Sequence, residues 1–386
     1  MYLYYFLAAV ACWFGIQSLL NGRRFAAYVR RETSRPLAQF QPFVSVIAPT
    51  RGFEPGFVEN VRPLLEQDYA GYEVLFVFDD PNDPSIDVVN RFDARIVISG
   101  PAKNTGQKVH NLIAAVEEID PRCEVIVFVD TDARPNTNWL RQLVAPLADE
   151  TLGASTGYRW FIPQRGGLAS HLRSVWNASI ASALGENRDK NFCWGGSTAI
   201  RRSTFERLNV VGHWAGTVSD DFTITHVLKD VKLPIHFTPH CLVPSFGDCD
   251  FRELLEFTTR QIKITRVYAS HLWLPLMLGS GLFCVVFFGG VVLLAVQRSL
   301  PLVVILTALF VLGAAKSFIR WRAVNGLHKS KSNRDLWVHV FLWPFASLLY
   351  FYNTIVAGFS RRIKWRGITY KLKSPSETVI ISREPT

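Results

Sequence analysis

The chain runs to 386 residues and carries 42 Lys and Arg against 32 Asp and Glu, a formal net charge of +10. Hydrophobic residues make up 49% of it and the mean hydropathy is +0.14, which excludes an ordinary water-soluble protein and leaves room for one large domain or two smaller ones. The positive charge clusters beside apolar runs, where anionic lipid headgroups account for it, so no nucleic-acid partner is expected. The six cysteines (12, 123, 193, 241, 249, 284) form no CxxC pair and imply neither a disulfide framework nor a zinc ribbon, in keeping with a reducing compartment.

Residues 1–22 contain no charged side chain, and Arg23, Arg24, Arg30, Arg31 and Arg35 follow. No charged segment precedes this run and no small-x-small site follows it, so it reads as a transmembrane signal anchor rather than a cleaved leader. The positive-inside rule then puts the N-terminus outside and the middle of the chain in the cytosol. Residues 23–42 read as a basic linker.

From Phe43 the pattern alternates. Strands are expected at 43–48, 72–78, 94–98 and 125–129, and helices at 55–67, 83–92, 107–119 and about 137–147. In the third helix Val109, Leu112, Ile113 and Val116 recur at helical spacing. This alternation implies parallel strands with crossover helices. Beyond residue 150 the candidate strands (153–158, 193–200, 235–243) are more widely spaced and flank a helix at 168–184. A basic amphipathic helix over 251–268 suits a membrane surface. It leads into the uncharged run 272–296, long enough to span a bilayer. Two more runs follow, 299–315 and 336–359. Four simple spans would put the basic tail (Arg361, Arg362, Lys364, Arg366) outside, against the positive-inside rule. Pro344 breaks the last run, so 336–359 is expected to be a re-entrant or interfacial hairpin.

The chemistry concentrates at strand ends. Val125-Ile126-Val127-Phe128-Val129 reads as a buried strand and is followed by Asp130-Thr131-Asp132. Open α/β sheets bind ligands at the carboxyl ends of their strands. Mg²⁺ takes one or two carboxylates together with phosphate oxygens, so Asp130 and Asp132 stand where a metal would be held against a diphosphate. Asp79-Asp80 ends the second strand. Asp220-Asp221 follows Ser219, which is suited to cap a helix there. Lys108 lies near a helix start, a position that favours phosphate. Trp194-Gly195-Gly196-Ser197 contains two glycines that permit close approach of a ligand to the backbone; a tight turn is the alternative.

Together these residues resemble the inverting GT-A-fold glycosyltransferases of family 2 and, within it, the ceramide glucosyltransferase branch. Asp80 in Asp80-Pro81-Asn82-Asp83 matches the family's first aspartate, Asp130 with Asp132 the Asp-x-Asp-like element, and Asp221 the third aspartate. Gly106-Gln107-Lys108-Val109-His110-Asn111-Leu112 and Lys364-Trp365-Arg366-Gly367-Ile368-Thr369-Tyr370 are further echoes, and the likeness extends over nearly the whole chain. It implies a UDP-sugar donor with uridine on Asp80, Mg²⁺ or Mn²⁺ on Asp130 and Asp132, and Asp221 as general base, with Asp220 its neighbour. It also implies acceptor or sugar contacts at Trp194, Gly195, Gly196 and Ser197, and a membrane-lipid acceptor, ceramide first. Arg260-Gln261-Ile262-Lys263-Ile264 stands at the family's Gln/Arg-x-x-Arg-Trp element, which assigns Arg260 and Lys263 to the donor. Lys263 replaces Arg and Ile264 replaces Trp, so the bidentate fork and the stacking face are lost. That leaves a hopanoid-type lipid or diacylglycerol open as acceptor, argues against a processive polysaccharide synthase, and leaves a catalytically inactive relative as the reading from another class. The expected organisation is an anchor at 1–22, a GT-A α/β domain at 43–250, an amphipathic interfacial helix at 251–271, transmembrane or re-entrant helices at 272–360 and a basic cytosolic tail at 361–386. The result is a multi-pass membrane enzyme with its catalytic domain on the cytosolic face.

Overall fold

The computed structural model describes residues 1–386 except 54, 55, 93, 329–332, 385 and 386. In chain order the elements are α1 (Tyr2–Thr33), β1 (Val44–Pro49), α2 (Phe57–Leu65), β2 (Tyr72–Phe78), α3 (Ile86–Asn90), β3 (Arg95–Ile98), α4 (Gln107–Glu117), β4 (Val125–Val129), α5 (Trp139–Val144), β5 (Ala154–Ile162), α6 (Leu168–Ala181) and β6 (Ser197–Arg201). They continue with α7 (Arg202–Arg207), α8 (Val210–Trp214), α9 (Asp220–Asp230), β7 (Ile235–Phe246), α10 (Phe251–Tyr268), α11 (Ser270–Gln297), α12 (Leu300–His328), α13 (Asn333–Phe359), β8 (Arg362–Trp365), β9 (Ile368–Ser374) and β10 (Glu377–Arg383).

The chain divides into two compact units. One comprises residues 32–162, 186–247 and 361–386, and the other 1–31, 163–185 and 248–360. The first is built on a seven-stranded sheet in the order β3-β2-β1-β4-β6-β5-β7. Strands β1, β2, β3 and β4 run parallel, β6 pairs antiparallel with both β4 and β5, and β5 runs parallel to β7. The five residues of β4 are all buried, as an apolar run does when helices cover both faces of a parallel sheet. Val109, Leu112 and Ala115 of α4 pack with Ile47, Leu75, Ile126 and Phe128 in the main core. The order reverses between β1 and β4, which opens the crevice where such sheets bind ligands.

Residues 362–383 are not an open tail. Strands β8, β9 and β10 form an antiparallel three-stranded sheet with Ile363, Ile368, Tyr370 and Leu372 buried. Trp365 pairs with Ile368, so Arg366-Gly367 is a two-residue hairpin loop. Both residues have positive φ, 51° and 73°, as the tight turn that matches strand twist demands. Arg-Gly is an unusual pair for this turn, and the sequence reading passed over the hairpin for that reason.

In the other unit α1 continues unbroken through Arg23 and Arg24 to Thr33, so most of the expected linker is helix. Residues 163–185, expected within a contiguous 43–250 domain, belong to this unit. There Val175 and Trp176 of α6 pack with Leu254 and Ile262 of α10 and with Ala346, Leu349 and Tyr350 of α13. Trp176 stacks on Tyr350 with ring centroids 4.8 Å apart. Helix α10 opens with a full capping box: Asp250 accepts from the Glu253 N–H, and Glu253 accepts from the Asp250 N–H. Residues 333–359 form one helix with Pro344 inside it, not the expected hairpin. Proline's missing N–H and ring clash do not divide the segment, because its apolar residues are held along their length by α6 and α10. Four helices, α1, α11, α12 and α13, are long and apolar enough to cross a membrane.

One glycine tests how tightly the sheet is assembled. A Cβ on Gly157, at the register shift between β5 and β7, would collide with the Cys241 carbonyl oxygen and the Ser197 hydroxyl. Gly157→Ala is expected to cost about 1–3 kcal/mol, read as a lower thermal midpoint of the purified protein. An unchanged midpoint would mean that this pairing yields easily.

Candidate active site

Thr50-Arg51, Asp79-Asp80 and Asp130 follow the carboxyl ends of β1, β2 and β4, the strands at the order reversal. The centre is an acid–base cluster. The Lys108 ammonium, on the first turn of α4, lies 2.8 Å from Asp130 Oδ1 and 3.2 Å from Asp220 Oδ2. Arg159, from β5, spans the two carboxylates of the Asp-x-Asp element, with Nη2 3.0 Å from Asp130 and Nη1 3.3 Å from Asp132. Its guanidinium also lies over the Trp194 ring, 5.2 Å from the centroid, a cation–π contact.

Two glycines make this density possible. A Cβ on Gly195 would collide with the Asp220 carboxylate and approach Lys108 Nζ to 2.7 Å, and one on Gly196 would meet Trp194 and lie 2.8 Å from Asp130 Oδ2. Gly195 and Gly196 therefore admit the charged side chains. Ser197 is spent in the core: its hydroxyl accepts from Trp139 Nε1 at 2.9 Å and the residue is fully buried.

The two neighbouring aspartates differ sharply. Asp220 is 2% exposed. Burial and the nearby charges of Asp221 and Asp130 outweigh Lys108 and push its pKa up to about 6. Asp221 is half-buried at the start of α9, where its Oδ1 accepts from the Ser219 hydroxyl at 2.5 Å and from the Phe222 N–H at 2.8 Å. Ser219 is the N-cap, as its residue type suggested. For Lys108, burial disfavours the charge, but the carboxylates of Asp130, Asp220 and Asp221 prevail and hold its pKa above the ordinary lysine value. Burial likewise opposes the Asp130 charge, and Lys108, Arg159 and Arg366 overcome it, so its pKa is lowered.

A ring of contacts that the sequence reading did not single out lies beside this cluster. Asp79 is paired by Arg51 and, at 3.0 Å, by Arg383 from β10. Arg51 Nε donates to the Arg366 carbonyl at 2.9 Å. Arg383 Nη2 donates to Gln107 Oε1 at 2.7 Å, and the Tyr370 hydroxyl accepts from the Gln107 N–H at 3.2 Å. The C-terminal sheet thus grips the first turn of α4, one residue from Lys108. Asp80 is half-buried, and its Oδ1 accepts from the backbone and side chain of Asn82 at 2.9 and 3.2 Å. Arg260 and Lys263 lie on α10 in the other unit, whereas the cluster is formed within the sheet-bearing unit.

Among the described residues no three His, Cys, Asp or Glu side chains gather as a metal-binding group. Two carboxylates do converge: Asp130 and Asp132 share the Arg159 guanidinium. Two hard oxygen donors held together suit an ion that takes its remaining ligands from diphosphate and water, so the residues present fit a divalent cation.

The raised Asp220 pKa has a stability consequence. The folded protein holds a proton between about pH 4 and 6 that the unfolded chain has released, so stability falls as pH rises through that window. Asp220→Asn removes this contribution, and its difference in thermal midpoint from the parent is expected to vary across pH 4–6. A constant difference would show that Asp220 titrates as an ordinary carboxylate.

A ceramide glucosyltransferase 3 from Caenorhabditis elegans is 17% identical over 243 residues, 60% of this chain and 52% of that protein; the chain thus spans about half the length of this curated relative. Among solved structures, a mannosyltransferase from Pyrobaculum calidifontis in complex with GDP-Man and Mn²⁺ matches with TM-score 0.48 and 19% identity, covering 91% of this chain and 98% of that one. A glucosyl-3-phosphoglycerate synthase from Mycobacterium tuberculosis, in complex with Mn²⁺ and UDP-glucose, matches with TM-score 0.39 and 14% identity, covering 62% of this chain and 80% of that one. The architecture is the GT-A type of mixed α/β fold expected from the sequence, joined to four long apolar helices. The family model described as Glycosyl transferase family 21 matches residues 3–378, nearly the whole chain, and the chain belongs to that family.

Proposed function

We propose that this glycosyltransferase is an integral membrane enzyme that moves a sugar, glucose in the first instance, from a UDP-sugar to a lipid hydroxyl such as that of ceramide, with inversion. The observation that carries the reading is the convergence of Asp130 and Asp132, beside Lys108 and Arg159, at the carboxyl ends of the central strands. Departure of UDP develops negative charge on the diphosphate. Asp130 and Asp132 would hold Mg²⁺ or Mn²⁺ there, and the ion supplies Lewis-acid neutralisation of the leaving group. Lys108 and Arg159 add fixed positive charge in a largely buried setting, where it acts more strongly than in water. Arg366, whose charge bears on Asp130, belongs to the same cationic wall, and Asp80 takes the uridine. Trp194, Gly195 and Gly196 line the sugar side. Asp221 accepts the proton of the attacking hydroxyl. Its half-exposed position favours it over Asp220, whose carboxylate is committed to Lys108. A hopanoid-type lipid or diacylglycerol remains the alternative acceptor, given Lys263 and Ile264.

The connectivity bears on topology. The chain leaves the sheet-bearing unit at Gly247 and returns at Arg361, and Arg366, Tyr370 and Arg383 bond directly to residues of that unit. This connectivity favours an even number of crossings among α11, α12 and α13. Helix α13 is the one that stays: 44% of its apolar window is buried in the protein, against 28% and 22% for α11 and α12. On this reading α11 and α12 form the membrane hairpin, α1 the anchor, and the catalytic unit lies on the cytosolic face.

The test is transfer of labelled sugar from UDP-glucose to a total lipid extract by the purified full chain with Mn²⁺ or Mg²⁺. A labelled lipid is expected with metal and not with chelator. Asp221→Asn should lower the rate about 10²–10⁴-fold while leaving UDP binding intact. Full activity in Asp221→Asn would move the base to Asp220; no product from any UDP-sugar would overturn the reading. Arg366→Gln is expected to weaken UDP binding about tenfold, the scale of one charged hydrogen bond, and unchanged affinity would remove Arg366 from the diphosphate wall.

A further inference from the structure

The chain's positive charge is divided unequally. The unit of apolar helices holds 17 Lys and Arg against 5 Asp and Glu, which leaves 25 against 27 of the chain's 42 and 32 for the sheet-bearing unit. All of the excess cation therefore belongs to the helical unit, and two of its charges lie among the apolar helices, Arg320 buried and Lys316 half-buried. Arg320, on α12, is 2% exposed. Its Nη1 donates to the Ser179 hydroxyl at 3.2 Å, while its buried Nε has no hydrogen-bond partner among the described residues. Lys316, one turn earlier on the same face, donates to the Ser18 hydroxyl at 2.7 Å. Neither has an ion-pair partner among the described residues. No Asp or Glu occurs in the sequence between Glu256 and Asp335.

Two like charges at i,i+4 repel, and buried cations are retained only where something compensates them. Ser179 sits in the last turn of α6, so the negative end of that helix offsets about half a charge at Arg320. The rest is unmet, and an ionisable residue inside an apolar bundle marks a site rather than a scaffold. Polar side chains continue along α6 from Ser179: His339 Nε2 lies 3.4 Å from Ser174 Oγ, and His171 lies nearly one turn before Ser174. His171 in turn lines a pocket of about 720 Å³ between α6 and α13, walled by Leu168, Trp337, Phe341 and Leu342, within the range of ligand sites.

We propose that this seam binds the phosphate of a membrane lipid, with Arg320 and Lys316 as the cationic anchors and the pocket at His171 taking the adjoining hydrocarbon. The charge selects an anionic headgroup, and the apolar helices around the seam and the aromatic pocket walls select a lipid over a soluble phosphate. The site shares no residue with the acid–base cluster and does not depend on the identity of the donor or acceptor of the transfer reaction.

The test is binding by the purified full chain in neutral detergent, read by native mass spectrometry and thermal unfolding, with phosphatidylglycerol, phosphatidylcholine of the same acyl chains, or inorganic phosphate added. Phosphatidylglycerol should be retained and should raise the midpoint, whereas the other two should not. Arg320→Gln should reduce phosphatidylglycerol affinity about tenfold or more, the loss of one charge-assisted contact; Arg320→Lys should restore part of it, and Lys316→Gln should lower it independently. Equal retention of the two lipids, an equal effect of free phosphate, or undiminished preference in Arg320→Gln would each overturn the proposal. If Arg320→Gln does not fold, undiminished preference in Lys316→Gln overturns it in the same way.

Discussion

The sheet-bearing half of the molecule depends on one ammonium, that of Lys108, whose side chain is 12% exposed. Asp130 and Asp220 come from opposite ends of the sequence-distant elements β4 and α9, and two desolvated carboxylates so placed would repel if nothing stood between them. Lys108 stands between them. Its own helix is fixed from the other side: Gly106 donates to the Thr217 carbonyl at 2.7 Å, and a Cβ on Gly106 would lie 2.8 Å from Val218. The start of α4 and the approach to α9 therefore touch at van der Waals distance, and the lysine is the electrostatic reason that they do.

The C-terminal sheet acts on the same point. Tyr370 and Arg383 hold Gln107, the residue before Lys108, and Arg383 also holds Asp79. Ser376 lies against Gly216, whose φ of 77° is left-handed and whose missing Cβ leaves room for the Ser376 carbonyl. The last residues of the chain thus brace the first turn of α4, the carboxyl end of β2 and the segment before α9 together. The chain reaches these contacts only after running through residues 248–360 of the helical unit, so the site is completed by a segment that returns from that unit.

What the sequence disclosed followed its physical signals. Strand β4 was legible because five apolar residues end in two carboxylates, and α4 because Val109, Leu112 and Val116 keep helical period. Ser219 was legible as a cap. The hairpin of β8 and β9 was not, since Arg-Gly is not a customary turn pair. Arg159 escaped because a lone arginine in an apolar strand carries no motif, and only the fold brings it to Asp130 and Asp132. The continuous α13 was missed because Pro344 outweighs helical periodicity in a sequence, whereas packing against α6 and α10 outweighs Pro344 in the structure. Ser197 had the right neighbours, but the Trp139 indole claims its hydroxyl.

The charge balance of the cluster constrains how a donor enters. Lys108 and Arg159 are set against Asp130, Asp132 and Asp220, so the site has no surplus positive charge of its own to draw in a bare diphosphate. On the proposed reading the cations and a divalent ion seek the same carboxylates, and binding is an exchange. Asp130 and Asp132 would hold the ion in place of Arg159, which would leave the guanidinium and ammonium to phosphate oxygens. Arg159 is suited to that exchange because the Trp194 ring holds its guanidinium by a contact that does not depend on the carboxylates. Asp220, with its raised pKa, can shed its charge by taking a proton when Lys108 turns away, so one buried carboxylate need not stay ionised without a partner. An isolated Asp-x-Asp would hold a metal without this coupling. On the proposed reading the surrounding cations would make retention of the ion depend on the presence of the diphosphate.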